Sequence, residues 1–383
     1  MQNDLNRKLE ALKSNPIFYF SLSSKELFHS NFFEWLCNDY PVEMYNILKK
    51  FIDGDKLLKL TSCKREDKNI DLKINFRGKN DPEQSFEIWI ENKVKSLPKI
   101  EQLERYLAPS NELKNVIGVL LSLAEPQFDL PDSWKYYSYE QYKNELESQF
   151  LNKKDDNNIY LIEQYIKLID MLITLEKSIT ITGDQLYNFR SKDGIYPKLE
   201  KLRMHDFYLK KYYEKLSLEM LAETKKNFPG ITCKFSGYIA EEDTIRTDYD
   251  MTRGTGLITI AYCFKENFNI GIQIQDNAYK MFIEDKAESH QERLITIFKK
   301  LVDNELWFNF SSFKGYSVRP IPGGNKEYKK YGDNYIYKSI QLNDKGNNNK
   351  IFTIGELITI VIGDIRNIID NKSFYEDLLS KKR

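Results

Sequence analysis

Two stretches, NIDLKINF at residues 69–76 and FEIWIENK at residues 86–93, carry the clearest structural pattern in this chain. In each of them apolar and polar residues alternate with a period of two, which is the pattern of a β-strand with one buried face. The alternation places Asp71 on the polar face of the first strand, and Glu91 and Lys93 together on the polar face of the second. If the two strands are neighbours, two carboxylates and one ammonium group meet in one place.

The bulk composition limits the class of protein. The chain has 383 residues, with 57 Lys and Arg against 57 Asp and Glu, so its formal net charge at pH 7 is zero. This length is sufficient for two domains that each have a core. A net charge of zero argues against strong non-specific attraction to a polyanion, but it leaves local basic patches open. Only three histidines occur, which makes a histidine-rich zinc site an unsuitable interpretation.

No segment reaches the roughly 18 uninterrupted apolar residues of a membrane helix. The polar start of the chain also lacks the apolar core of a signal peptide. We therefore expect a cytoplasmic protein without a membrane partner.

The first half of the chain alternates helices and strands. Residues 24–37, SKELFHSNFFEWLC, predict an amphipathic helix, and Pro98 stands at the start of a second helix in KIEQLERYLA, residues 99–108. The apolar run from Val116 to Leu123 predicts a strand buried on both faces, and residues 136–150 predict a strand followed by a helix. This order is typical of an α/β fold in which helices flank a mixed central sheet.

The second half has a different texture. Short strand-like segments separated by Gly, Asp and Asn begin near residue 230, and a helix is predicted at about 353–379. We therefore predict two domains, residues 1–185 and residues 186–383. The second is expected to be an α+β accessory domain for substrate binding, sensing or assembly.

A basic and aromatic segment, RMHDFYLKKYYEK at residues 203–215, has two interpretations. It forms either a helix face that binds nucleic acid or an amphipathic helix that packs its aromatic side chains inward. The sequence alone leaves both open.

The residues of the two opening strands suit metal-assisted hydrolysis of a phosphodiester. Mg²⁺ is held in proteins by one or two carboxylates and retains several waters, which suits Asp71 and Glu91, with the backbone carbonyl of Asn92 as a third ligand. Lys93 is suited to orient or deprotonate a water, or to stabilise charge at phosphorus. The alternative is a solvated strand face, because alternating charges are common on exposed strands.

A further motif makes the pattern more specific. Gln102 and Tyr106 lie one turn apart on the predicted helix that follows Lys93. The order Asp71, Glu91-x-Lys93 and then Q-x-x-x-Y resembles the PD-(D/E)XK nuclease superfamily. The resemblance implies a restriction-endonuclease-like core, with these five residues in catalysis and Mg²⁺ as cofactor, for which Mn²⁺ is expected to substitute.

The helix upstream of these strands carries part of the same resemblance. Its residues ELFHSN, followed by Trp35-Leu36, resemble the first helix of a bacterial branch of the superfamily, which implies that Glu26 joins the metal site. A capping box is the alternative for this glutamate, because a serine stands three residues before it. We expect His29, Lys73 and Lys95 to contact the substrate, although His29 also fits a simple core or surface position.

The resemblance covers about residues 20–125, with weaker likeness in YGDNYIY at residues 331–337. Ile70 stands where a proline often precedes the first acidic residue of the family. The resemblance implies an endonuclease that acts on nucleic acid, with DNA favoured, and its bacterial relatives imply a role in defence against phage. Cleavage of RNA or tRNA, and a non-catalytic binding or scaffold role, are the alternatives. A homo-oligomer or an activating partner is also left open.

Overall fold

The structure is a computed structural model. It describes residues 7, 10, 17, 25–52, 58–67, 70–79, 81, 83–107, 115–153, 156–187, 195–235, 241–252, 254–286, 291–314, 319–320, 327–342 and 352–380.

The chain forms two compact units. The first comprises residues 1–179 together with residues 199–207, and the second comprises residues 180–198 together with residues 208–383. Each unit contains one β-sheet with helices beside it, so the predicted α/β class is confirmed for the chain.

The first unit holds the following helices and strands: α1 Lys25–Asp39, α2 Pro41–Leu48, β1 Leu58–Asp67, β2 Ile70–Gly78, β3 Ser85–Lys93, α3 Ile100–Leu107, β4 Val116–Ser122, β5 Trp134–Ser138, α4 Tyr139–Phe150 and α5 Ile159–Ser178. Two helices, α6 Tyr196–Lys201 and α7 His205–Asn227, cross the division between the units.

The sheet of the first unit has the order β1-β2-β3-β4-β5. Strands β1, β2 and β3 run antiparallel, whereas β4 and β5 run parallel to β3. The two opening stretches are therefore neighbouring strands of a mixed sheet, which is the condition for Asp71, Glu91 and Lys93 to meet. Helix α1 packs against β1, β2 and β3.

The two faces of β2 differ as the sequence predicts. Leu72 and Ile74 are buried, whereas Asp71 and Lys73 are half-buried on the opposite face. Asn69, the first residue of the quoted stretch, lies outside the described residues.

Helix α3 lies over the face of β3 that carries Trp89. Its residue Leu103 is fully buried against Trp89 and Trp134, and the indole N–H of Trp134 donates to the Leu103 carbonyl at 3.2 Å. Gly118 of β4 permits this packing, because a Cβ atom there would lie 2.4 Å from the Trp134 ring. The packing fixes the helix above the end of β3, where Gln102 precedes Leu103.

The second unit holds these elements: β6 Thr232–Phe235, β7 Thr244–Thr252, β8 Thr255–Cys263, β9 Phe268–Gln275, β10 Ala278–Asp285, α8 Gln291–Asp303, β11 Arg319–Pro320, β12 Lys329–Tyr331, β13 Tyr335–Gln341, α9 Ile354–Asp370 and α10 Lys372–Ser380. Its sheet has the order β11-β13-β10-β9-β8-β7-β6, and β12 pairs with β13. The pair β6 and β7 is parallel and the other described pairs are antiparallel. The predicted final helix is divided into two at Asn371.

The segment 203–215 packs its aromatic side chains inward. Tyr208, Tyr212 and Tyr213 are buried, and Lys211 forms a buried ion pair with Glu214 at 2.5 Å. This arrangement favours the amphipathic-helix interpretation over an exposed nucleic-acid-binding face. Within the described residues, no helix has both the length and the apolar character needed to cross a membrane.

Candidate active site

Asp71 and Glu91 lie beside each other on neighbouring strands. The pairing of β2 with β3 places Leu72 opposite Ile90, so Asp71 and Glu91 are the next facing residues, immediately beyond the last paired ones. The Oδ2 atom of Asp71 accepts a hydrogen bond from the backbone N–H of Asn92 at 2.8 Å. The end of β3 is therefore tied to β2 through the carboxylate that the sequence predicted as a ligand.

Glu91 and Lys93 form a buried ion pair at the end of β3. Lys93 Nζ lies 2.7 Å from Glu91 Oε1, and only 2% of Glu91 and 9% of Lys93 are exposed. The side-chain period of two along a strand brings the pair together, because Asn92 between them points to the other face.

Helix α3 adds Gln102 to this ion pair and places Tyr106 beside Gln102. The amide nitrogen of Gln102 donates to Glu91 Oε1 at 2.7 Å and to the Tyr106 hydroxyl at 2.7 Å. The structure thus brings Gln102 into contact with Glu91 of the E-x-K motif, and Tyr106 into contact with Gln102. Two donors converge on Oε1, which fixes the orientation of the carboxylate.

The second oxygen of Glu91 is different. Oε2 is buried and has no hydrogen-bond partner within the part of the chain that the structure describes. Buried polar atoms are nearly always paired, so an orphaned carboxylate oxygen needs an explanation such as an ion. It lies on the carboxylate that faces Asp71 across the strands.

The electrostatics of the site follow from its burial. Burial raises the pKa of Glu91 to about 7, although the attraction of Lys93 acts in the opposite direction. Burial also raises the pKa of Asp71, against the hydrogen bond from Asn92 and the charge of Lys93. Burial alone would lower the pKa of Lys93, but the nearby carboxylates of Glu91, Glu26 and Asp71 raise it overall. Lys93 therefore stays protonated at neutral pH.

Glu26 approaches the same place from helix α1. Its Oε1 accepts hydrogen bonds from the backbone N–H groups of Lys95 at 3.2 Å and Ser96 at 2.6 Å. Its charge contributes to the raised pKa of both Asp71 and Glu91. The serine of the alternative capping box, residue 23, lies outside the described residues.

Asn92 has a structural connection that the sequence did not reveal. Its buried side chain donates to Ser30 Oγ at 3.1 Å and to the Glu26 carbonyl at 3.4 Å, and accepts from the Tyr139 hydroxyl at 2.6 Å. Helices α1 and α4 thereby hold the end of β3 from the face of the sheet opposite to Glu91 and Lys93. The sequence gives a signal for one of these partners, because Ser30 lies four residues from Glu26 and therefore shares its helix face. Tyr139 gives no local signal.

His29 lies in the interior rather than on an open face. It is 2% exposed, and its Nδ1 atom lies 2.9 Å from the Tyr165 hydroxyl in a hydrogen bond. Burial lowers the pKa of His29 to about 3, so the ring is neutral at physiological pH. Its ring also contacts Tyr139 edge to face. In this position His29 has almost no surface with which to make the expected contact with substrate.

The two lysines expected to bind substrate are both in ion pairs. Lys73 Nζ lies 3.4 Å from Glu87 Oε2 and above the Trp89 ring, on the same face of β2 as Asp71. Lys95 pairs with Asp206, which belongs to the same unit. Both remain partly exposed, so each is close to the site but engaged with an acidic partner.

The donor set fits Mg²⁺ in its chemistry. Among the described residues, no group of three or more His, Cys, Asp or Glu side chains is arranged to hold a metal ion. Mg²⁺ does not require such a cage, because it is commonly held by one or two carboxylates and keeps several waters. The orphaned oxygen of Glu91 and the facing carboxylate of Asp71 provide that number of ligands.

Comparison of the chain with protein-family models, with curated proteins and with solved structures found no match.

Proposed function

We propose that the first unit is a Mg²⁺-dependent nuclease that hydrolyses phosphodiester bonds, with DNA as the favoured polymer. The observation that carries the proposal is the buried Oε2 atom of Glu91, which lacks a partner among the described residues and belongs to the carboxylate facing Asp71. A divalent cation would supply the missing partner. It would also favour the ionised form of Glu91, whose pKa burial raises to about 7.

The arrangement of the sheet supports the same proposal. An antiparallel run of three strands continues into two parallel strands, and the candidate residues stand at the end of the central strand β3. This order agrees with the restriction-endonuclease-like core that the resemblance to the PD-(D/E)XK superfamily implies. Helix α3 follows β3 and carries Gln102 and Tyr106.

Asp71, Glu91 and the carbonyl of Asn92 would hold the cation, with Glu26 close by, and Mn²⁺ would substitute for Mg²⁺. When bound, the ion would supply charge neutralisation at the phosphate and would lower the pKa of a coordinated water. Gln102 keeps Glu91 in one orientation through its bond to Oε1. Such orientation by surrounding hydrogen bonds is a usual requirement of metal sites.

Lys93 acts on the phosphate in this proposal. The surrounding carboxylates raise its pKa, so it keeps its proton at neutral pH and is poorly suited to be a general base. A fixed positive charge within a buried site is suited to stabilise negative charge that develops at phosphorus. We therefore assign Lys93 the role of charge stabilisation in this proposal, in preference to that of a general base.

The test is incubation of the purified full chain with plasmid DNA and, separately, with total RNA, in Mg²⁺, Mn²⁺ or EDTA. Glu91→Gln and Lys93→Met should abolish cleavage. Glu34→Gln is the matched control, because Glu34 also forms a partly buried ion pair in the first unit, with Arg65. Cleavage that persists in EDTA or in Glu91→Gln contradicts the proposal. The relative cleavage of the two polymers decides between a DNA-cutting and an RNA-cutting enzyme.

A further inference from the structure

The sheet of the second unit has two unlike faces. Helix α9 packs against β8 and β9 on one face, where the Tyr279 hydroxyl donates to Asp364 at 2.5 Å. The paired register places a polar and aromatic set on the opposite face: Arg246, Asn269, Gln273, Lys280, Glu284 and Tyr337. An antiparallel sheet commonly turns a polar face to water. Here, however, Arg246, Asn269 and Lys280 are more than nine-tenths buried.

Stacked tyrosines stand at one edge of this polar face. The rings of Tyr331 and Tyr337 are nearly parallel, with an interplanar angle of 18° and centroids 5.0 Å apart. Lys280 Nζ lies 5.2 Å from the centroid of each ring. Tyr331 is nevertheless 51% exposed, so part of an organised aromatic surface faces outward. Such rings are surfaces on which bases stack in proteins that bind single strands.

Lys280 also orients two amides on the same face. Its ammonium group donates to Gln273 Oε1 at 2.8 Å and to Gln275 Oε1 at 2.5 Å. An ammonium group has donors and no acceptor, so the atoms turned toward it are the amide oxygens. The NH₂ group of Gln275 then donates to Thr255 at 3.2 Å. The NH₂ group of the half-buried Gln273 has no partner within the described ranges and is available to a ligand.

Farther along the strands, the same face holds three polar atoms without a partner. Arg246 Nε, Asn269 Oδ1 and the Tyr335 hydroxyl are buried and unpaired as far as the structure describes the chain. Glu284 engages the neighbouring atoms, because its Oε2 accepts from Asn269 Nδ2 at 2.9 Å and lies 3.8 Å from Arg246 Nη2. One donor, one acceptor and one hydroxyl therefore remain unsatisfied, which is rare for buried groups.

We propose that this polar face binds an unpaired nucleobase, presented either by a free nucleotide or by a single-stranded nucleic acid. A nucleobase offers a flat π face to Tyr331 and an edge of mixed donors and acceptors to the amides. Lys329, which lies in the same short strand as Tyr331, would contact the phosphate. A simple anion fits less well, because the carboxylate of Glu284 lies beside Arg246 and the ammonium group of Lys280 already donates to two amide oxygens.

Nucleobase binding by the second unit is independent of the proposed nuclease activity. It is measured in EDTA, which removes the divalent cation that cleavage would need. Fluorescence anisotropy of the full chain with a short labelled single strand of DNA or RNA gives the affinity, and the matching duplex is the comparison. Unlabelled nucleoside monophosphates compete in a separate arm. Tyr331→Ala and Gln273→Ala are the variants, and Tyr331→Phe retains the ring. Tyr160→Ala, an exposed tyrosine of the first unit, is the control.

We expect single strands to bind more tightly than the duplex and Tyr331→Ala to weaken binding about tenfold, which is typical of one lost stacking contact. Tyr331→Phe should retain affinity, and all variants should unfold at the temperature of the wild type. Competition by monophosphates identifies a free nucleotide as the source, whereas competition by strands alone identifies a polymer. Absence of all binding, equal affinity for the duplex, or equal effects of Tyr331→Ala and Tyr160→Ala would overturn the inference.

Discussion

Lys93 Nζ lies 2.7 Å from Glu91 Oε1 at the end of β3, yet the other oxygen of Glu91 has no partner among the described residues. The ion pair therefore satisfies half of a deeply buried carboxylate. This asymmetry leaves one oxygen of the buried carboxylate open to a further partner such as a metal ion. We therefore expect the site to bind a divalent cation, and we expect both its metal affinity and its stability to depend on pH through Glu91.

Metal binding should depend on pH because a carboxylate must be deprotonated before it coordinates a metal. Burial raises the pKa of Glu91 to about 7, so its protonated form is well populated near neutral pH. We expect the apparent affinity for Mn²⁺ to be nearly constant above about pH 8 and to fall about tenfold per unit below about pH 6. Isothermal titration calorimetry at several pH values measures it. An affinity that does not change between these values would contradict the assignment of Glu91 as a ligand.

Glu91 should also affect stability in the absence of metal. Its pKa is raised in the folded state, so the folded chain holds this proton more tightly than the unfolded chain does. The contribution to the free energy of unfolding is favourable below the unfolded pKa and declines as the pH rises toward about 7, by at most about 3 kcal/mol. Glu91→Gln should remove this decline. Thermal unfolding of both proteins in EDTA across this range gives the comparison, and parallel curves would refute the prediction.

His29 should affect the pH dependence of the free energy of unfolding with the sign opposite to that of Glu91. Burial lowers its pKa to about 3, so the folded chain leaves the ring neutral while the unfolded chain takes up a proton below the ordinary pKa of 6.5. Its contribution is complete above that value and is lost as the pH falls. His29→Gln should therefore lessen the loss of stability between about pH 6.5 and about pH 4. Urea unfolding followed at two pH values in this window tests the difference, and an unchanged loss would show that the ring is accessible to protons.

Tyr139 should support the site indirectly, through its hydrogen bond to Asn92. Tyr139→Phe removes the hydroxyl that donates to Asn92 Oδ1, and Asn92 in turn holds Asp71 through its backbone N–H. We expect a loss of about 1 kcal/mol in unfolding free energy, with a drop of about tenfold in metal affinity. Tyr160→Phe, at an exposed position, should change neither quantity. Full metal affinity in Tyr139→Phe would show that the buried network is purely structural.

The parts of the site that the sequence predicts are those set by local periodicity. Alternation along β2 and β3 placed Asp71, Glu91 and Lys93 on one face, and helical spacing placed Gln102 and Tyr106 on one side of α3. Both relationships need only the repeat of a strand or a helix. The structure brings these residues into the contacts described above.

The contacts that the sequence could not predict join distant segments. Tyr139 is 47 residues from Asn92, and Tyr165 is 136 residues from His29, so no local pattern links either pair. One helical turn separates His29 from Glu26, a spacing that does not show whether the His29 ring points inward. The polar face of the second sheet could not be predicted from the sequence either, because its residues come together only through the register of several strands.

In the proposed site, Asp71 and Glu91 share one divalent cation. Anomalous scattering from a crystal of the full chain soaked in Mn²⁺ tests this directly, with a Glu91→Gln crystal treated in the same way. We expect one peak at about 2.0–2.2 Å from Glu91 Oε2 and from an Asp71 carboxylate oxygen, and its loss in Glu91→Gln. Absence of a peak beside Glu91, or an unchanged peak in the variant, would show that Glu91 and Asp71 do not share a cation.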